Sequence, residues 1–107
     1  MQSSYGIVWR EGTLPLASGK LELRADALHL DGMARGRPVS HDIAYESLTT
    51  VRVGRSATER ITGRASLLLE RRGGLPIAIA SVSQPGVVAE IAERLADAVT
   101  SSGAARR

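Results

Sequence analysis

Apolar and polar positions alternate through most of this chain, then change period near its end. In KLELR, residues 20–24, Leu21 and Leu23 face one way and Lys20, Glu22 and Arg24 the other. That alternation is the mark of a half-buried β-strand. Ala25 and Asp26 interrupt it as turn residues, since a short Asp side chain bonds locally and tolerates the backbone required. ALHLD resumes with Leu28 and Leu30 inward and His29 and Asp31 outward, and Gly32 is expected to end the strand. Upstream, IVWREGTLPL is a less regular strand, broken by Gly12 and by Pro15, which suits an edge or a bulge. Residues 1–4 read as a loose start.

Further along, GMARGR (32–37) reads as a flexible loop, and PVSHDI as a strand with Val39 and Ile43 apolar. AYESL is a turn or a single helical turn, and TTVRVG is a strand ending at Gly54. The polar stretch RSATERITG (55–63) is expected to be a long connection with a short strand around Ile61. ASLLLERR and LPIAIASV are two strands joined at Gly73-Gly74, where both glycines tolerate positive φ. Ile77 and Ile79 then share one face.

From Pro85 the spacing becomes three and four. Val88, Ile91, Ala92, Leu95, Ala98 and Val99 form a stripe, with Glu90, Glu93, Arg94 and Asp97 mostly opposite. This predicts an amphipathic helix of about four turns, with Pro85 in its first turn and Ser83 or Gln84 as cap. A polar tail follows.

Composition narrows the functional classes. A chain of 107 residues suits one domain. Phe is absent, so Leu, Ile, Val and Ala must fill the core. A core this small favours a shallow binding surface over a deep cleft. With no cysteine there is no disulfide, thiol nucleophile or thiolate metal site. The start lacks a secretory pattern, and a cytoplasmic location is expected, with a peripheral place at the membrane as a variant. The net charge of +3 comes from arginine, since Lys20 is the only lysine.

The element order resembles the pleckstrin-homology (PH)-like superfold, including its small bacterial members. The likeness rests on GKLELRADALHLDG as a first hairpin and DIAYESLTTVRVG as strand, turn and strand. SLLLERRGGLPIAIAS matches as a late hairpin and PGVVAEIAERLADAV as the closing helix. It spans roughly residues 16–99. The resemblance implies a mainly β domain: a strongly bent antiparallel sheet of six or seven strands, near to a barrel, plugged by the C-terminal helix. The Trp that many eukaryotic PH domains carry in the final helix has no counterpart; the only Trp here is Trp9.

Catalytic chemistry finds little support. Ser40, His41 and Asp42 are consecutive, but a strand sends His41 to the face opposite its neighbours, so no triad forms. Both histidines are read as outward. A metal site would have to recruit His29, Asp31 and His41 across strands. GTLPLASGK is no phosphate loop: six residues separate Gly12 from Gly19 where four are required, and Leu21 follows Lys20 in place of Ser or Thr. We expect no enzymatic activity, metal or cofactor.

The arginines carry more weight. Arg35, Arg37, Arg55 and Arg60 fall in inferred loops, where forked guanidinium donors match phosphate or carboxylate oxygens. The expectation is an interaction module that binds a protein segment or a second copy of itself. An anionic membrane surface is a further partner. Nucleic acid bound by the loop arginines is the alternative, against which stands the lack of aromatic residues interleaved with basic ones.

Overall fold

The computed structural model describes residues 4–54, 56, 61, 64–82 and 86–101. Seven strands form one antiparallel sheet, and a helix follows them. The strands are β1 Ser4–Glu11, β2 Ala17–Leu23, β3 Ala27–Ala34, β4 Arg37–Ala44, β5 Leu48–Gly54, β6 Ser66–Arg71 and β7 Ile77–Ser81; the helix is α1 Val87–Ser101. The spatial order is β4-β3-β2-β1-β7-β6-β5. β1 is therefore the middle strand, upstream of the stretch that carries the resemblance and unsuited to the edge place inferred from Pro15. It ends at Gly12, whose positive φ of 58° suits a residue without Cβ.

The expected strong bend and closure toward a barrel are not met. Among the described residues β4 and β5 each pair on one side only, so the sheet is open. Its tightest backbone approach is where Gly19 faces Gly32 across β2 and β3. A Cβ on Gly19 would lie 2.0 Å from the Asp31 carbonyl oxygen. Gly32 thus sits inside β3 and does not end it.

The periodicity predicted the faces well. Leu21, Leu28, Leu30, Ile43, Leu67, Leu69, Ile77 and Ile79 are buried in one core with Ile7 and Trp9. Val88, Ile91 and Leu95 of α1 close the same core, as their spacing requires. Residues 83–85, where the cap was expected, lie outside the described residues. The Ala25-Asp26 turn is closed by the Arg24 N–H donating to the Ala27 carbonyl at 2.9 Å.

Two local readings change. The expected loop at 32–37 is a tight hairpin turn, with Arg35 at φ 52° and Gly36 at φ 77°. Both central residues are left-handed, the geometry that matches strand twist. The turn at Gly73-Gly74 is longer than expected, because β7 starts only at Ile77. AYESL is, as expected, a single short helical turn, of 3-10 type over Tyr45–Ser47, which links the two edge strands. Tyr45 is fully buried, and its hydroxyl donates to the Arg24 carbonyl at 2.6 Å.

Candidate interaction surface

Of the four candidate arginines, the structure describes two. Arg35 and Arg37 are exposed at the β3–β4 turn, and neither pairs with an acid among the described residues. Arg55 and Arg60 lie outside the described residues. They belong to the β5–β6 connection, whose flanking ends, Gly54 and Ser66, lie along the ladder at the opposite end from that turn.

Sequence reasoning missed the company of Arg35 and Arg37. The antiparallel order brings the β1–β2 loop, the β3–β4 turn and the β6–β7 connection to one end of the strands. Leu14, Leu16, Met33 and Leu75 are 38–49% exposed there. The Gly12 N–H donates to the Pro76 carbonyl at 2.8 Å, which ties the β1–β2 loop to the segment carrying Leu75, and Ser18, two residues after Leu16, pairs with Met33. Lone exposed leucines are ordinary, but adjoining ones mark interaction surfaces. Loop leucines outside any periodicity were the available signal.

On the inner face of the same end lies a polar cluster. Glu11 accepts from the Arg71 guanidinium at 2.6 Å through Oε2, and its Oε1 lies 3.1 Å from His41 Nε2. Arg71 Nε also donates to the Leu75 carbonyl at 3.0 Å. His41 thus points inward, against expectation. Register explains why: it pairs with Leu30, which pairs with Leu21, all on one face. The signal was present in sequence, since His41 shares parity with Val39 and Ile43. β4 and β1 lie three strands apart, and the side chains of His41 and Glu11 meet across the inner face.

His29 is outward, as expected, with Nδ1 3.3 Å from Asp42 Oδ1. The set of His29, Asp31 and His41 is therefore divided between two faces. Among the described residues no three His, Cys, Asp or Glu side chains group as a metal site. Ser40, His41 and Asp42 form no triad either, because Asp42 and His41 face opposite ways. On the outer face Glu22 accepts from Arg24 at 2.9 Å, which holds its carboxyl below the usual range. Aromatic stacking platforms are absent among the described residues. Trp9 and Tyr45 are buried, and the Tyr5 hydroxyl donates to Glu90 at 3.1 Å.

The second edge offers a different feature. β5 has β6 on one side only, and α1 packs against β5 more closely than against any other strand. Thr49 and Arg52 are its exposed positions.

No family model matches the chain, and no curated protein matches it in sequence. Among solved structures it is similar to the C-terminal domain of an unknown protein from Leishmania infantum, with a TM-score of 0.61 and 15% identity. That match covers 94% of this chain and 80% of the other. At this identity the likeness concerns the fold alone.

Proposed function

We propose that the protein is a non-enzymatic interaction module that takes an extended protein segment onto the free edge of β5, beside α1. The observation that carries this reading is that, among the described residues, β5 pairs on one side only while α1 packs against it. A segment added there gains backbone hydrogen bonds from the strand and side-chain contacts from the helix. The PH-like assignment belongs to the same proposal. It is supported by the terminal helix and by the short Tyr45–Ser47 link, which joins the two edge strands. A photo-crosslinking side chain at Thr49, with a control at Ser40 on the β4 edge, tests the reading in native cell extract. Capture at position 49 that persists at high salt is expected; equal capture at both positions overturns it.

A second reading rests on the apolar end. The exposed Leu14, Leu16, Met33 and Leu75, at the same end of the ladder as the exposed Arg35 and Arg37, suit an anionic membrane surface, with leucines entering the interface and guanidiniums meeting phosphates. Sedimentation with anionic vesicles at two ionic strengths, using Arg35/Arg37→Ala as control, separates this from the first. Salt-sensitive binding lost in that variant supports the membrane; a duplex oligonucleotide that binds more tightly than vesicles favours nucleic acid instead.

A further inference from the structure

The outer face of the sheet, away from the core, carries a groove between β1 and β5 that neither reading uses. Register places Arg10, Ala78, Leu68 and Arg52 in one row across four adjacent strands. Beside it Pro76, Glu70 and Thr50 make a second row. The cavity there has a volume of about 180 Å³. A single water needs about 10–15 Å³, and drug-sized ligands occupy about 300–1,000 Å³. The occupant that fits is small.

The charges specify its kind. Strands in a sheet lie about 4.8 Å apart, so Arg10 and Arg52 start about 14 Å from each other. Between them stand an alanine and a leucine, which leave an apolar floor with no polar side chain in that row. Arg10 stands directly beside Ala78, and Arg52 beside Leu68, so a cation bounds this apolar floor at each end. Arg10 is half-buried, yet its guanidinium pairs with no acid among the described residues. Arg52 has an interaction of its own and closes the far end. Against these two cations stands one acid, Glu70, in the neighbouring row.

We propose that this groove binds a small carboxylate with a short apolar body. Its oxygens meet the planar forked donors of Arg10, and its alkyl part covers Leu68 and Ala78. A planar carboxylate matches a guanidinium fork in two parallel hydrogen bonds. The apolar floor adds burial that a fully hydrated inorganic anion does not gain.

The test is an amide and guanidinium NMR titration of the full chain with butyrate at constant ionic strength, with chloride and inorganic phosphate as parallel arms. Saturable shifts at Arg10, Leu68 and Ala78 are expected with butyrate, and at least ten-fold weaker binding in Arg10→Gln. Arg10→Lys, which keeps the charge and loses the fork, should fall between. Ala78→Leu fills the seat without touching a charge and should abolish the shifts while the remaining spectrum stays native. Equal binding in Arg10→Gln, shifts spread evenly over all arginines, or phosphate binding as tightly as butyrate each overturn the proposal. None of these outcomes bears on the β5 edge, which the crosslinking reads separately.

Discussion

Glu11 and Arg71, sixty residues apart in sequence, meet at 2.6 Å on the inner face of the sheet. Their side chains are only 20% and 14% exposed, so water screens the pair poorly. Glu11→Gln should cost about 1.5–3 kcal/mol, the range for a hydrogen bond to a charged group. Urea unfolding followed by circular dichroism checks this. Glu22→Gln, which breaks an exposed pair, should leave the midpoint in place.

The two histidines should behave differently. His41→Ala removes the second partner of Glu11 from the inner face and should lower stability by about 1 kcal/mol. His29→Ala loses only an outer-face contact to an exposed aspartate and should lie within about 0.5 kcal/mol of the parent. Thermal melts of both variants measure the contrast, and equal losses contradict the assigned faces.

These residues show where sequence reading reached its limit. Alternation fixed the faces of Leu21, Leu28 and Ile43, and the spacing of Val88, Ile91 and Leu95 fixed the buried stripe of the helix. Both are local, repeated signals. The parity of His41 is equally local, yet a polar residue between apolar Val39 and Ile43 suggests an outward side chain. Its partner Glu11 was beyond local pattern, because contact across several strands depends on twist and register. Likewise the glycines and arginines of 32–37 suggest a loop, although Arg35 and Gly36, both left-handed, join Ala34 to Arg37 without a break in the ladder. The apolar end was illegible for a related reason: only strand order brings Leu14, Met33 and Leu75 to the same end of the ladder.

Gly32→Ala should be severe. Its Cβ would stand 2.1 Å from the Ser18 carbonyl oxygen, against backbone that has nowhere to go. The expected loss exceeds the roughly 1–3 kcal/mol of ordinary overpacking. Gly36→Ala meets nothing within 4 Å, and only its φ of 77° opposes it. Side-by-side denaturation should rank Gly32→Ala far below Gly36→Ala.

Leu95 is fully buried under the sheet. Leu95→Ala should cost about 2–5 kcal/mol through lost transfer energy and the cavity left behind. An unchanged unfolding midpoint would mean that α1 does not close the core in solution.

Stability should also fall at alkaline pH. Burial pushes the Tyr45 hydroxyl above its ordinary value of 10.0, and burial with the bond to Glu90 does the same to Tyr5. A raised folded value means the unfolded chain ionises first. The contribution is therefore complete below pH 10.0 and is lost as pH rises from there through the folded values. In Tyr45→Phe part of this alkaline slope should disappear, together with about 0.5–1.5 kcal/mol from the lost bond to Arg24. Denaturation midpoints between pH 8 and 11, on the order of the tyrosine range, read both effects.

The place of β1 in the middle of the sheet has a consequence for synthesis. Strands β1 to β4 are joined by short turns and pair in succession as they emerge, but the other side of β1 belongs to β7. Until Ile77–Ser81 leaves the ribosome, the nascent meander carries a bare row of backbone donors and acceptors along Ile7–Glu11. The first strand made is thus among the last completed. Its protection during translation depends on residues about seventy positions downstream.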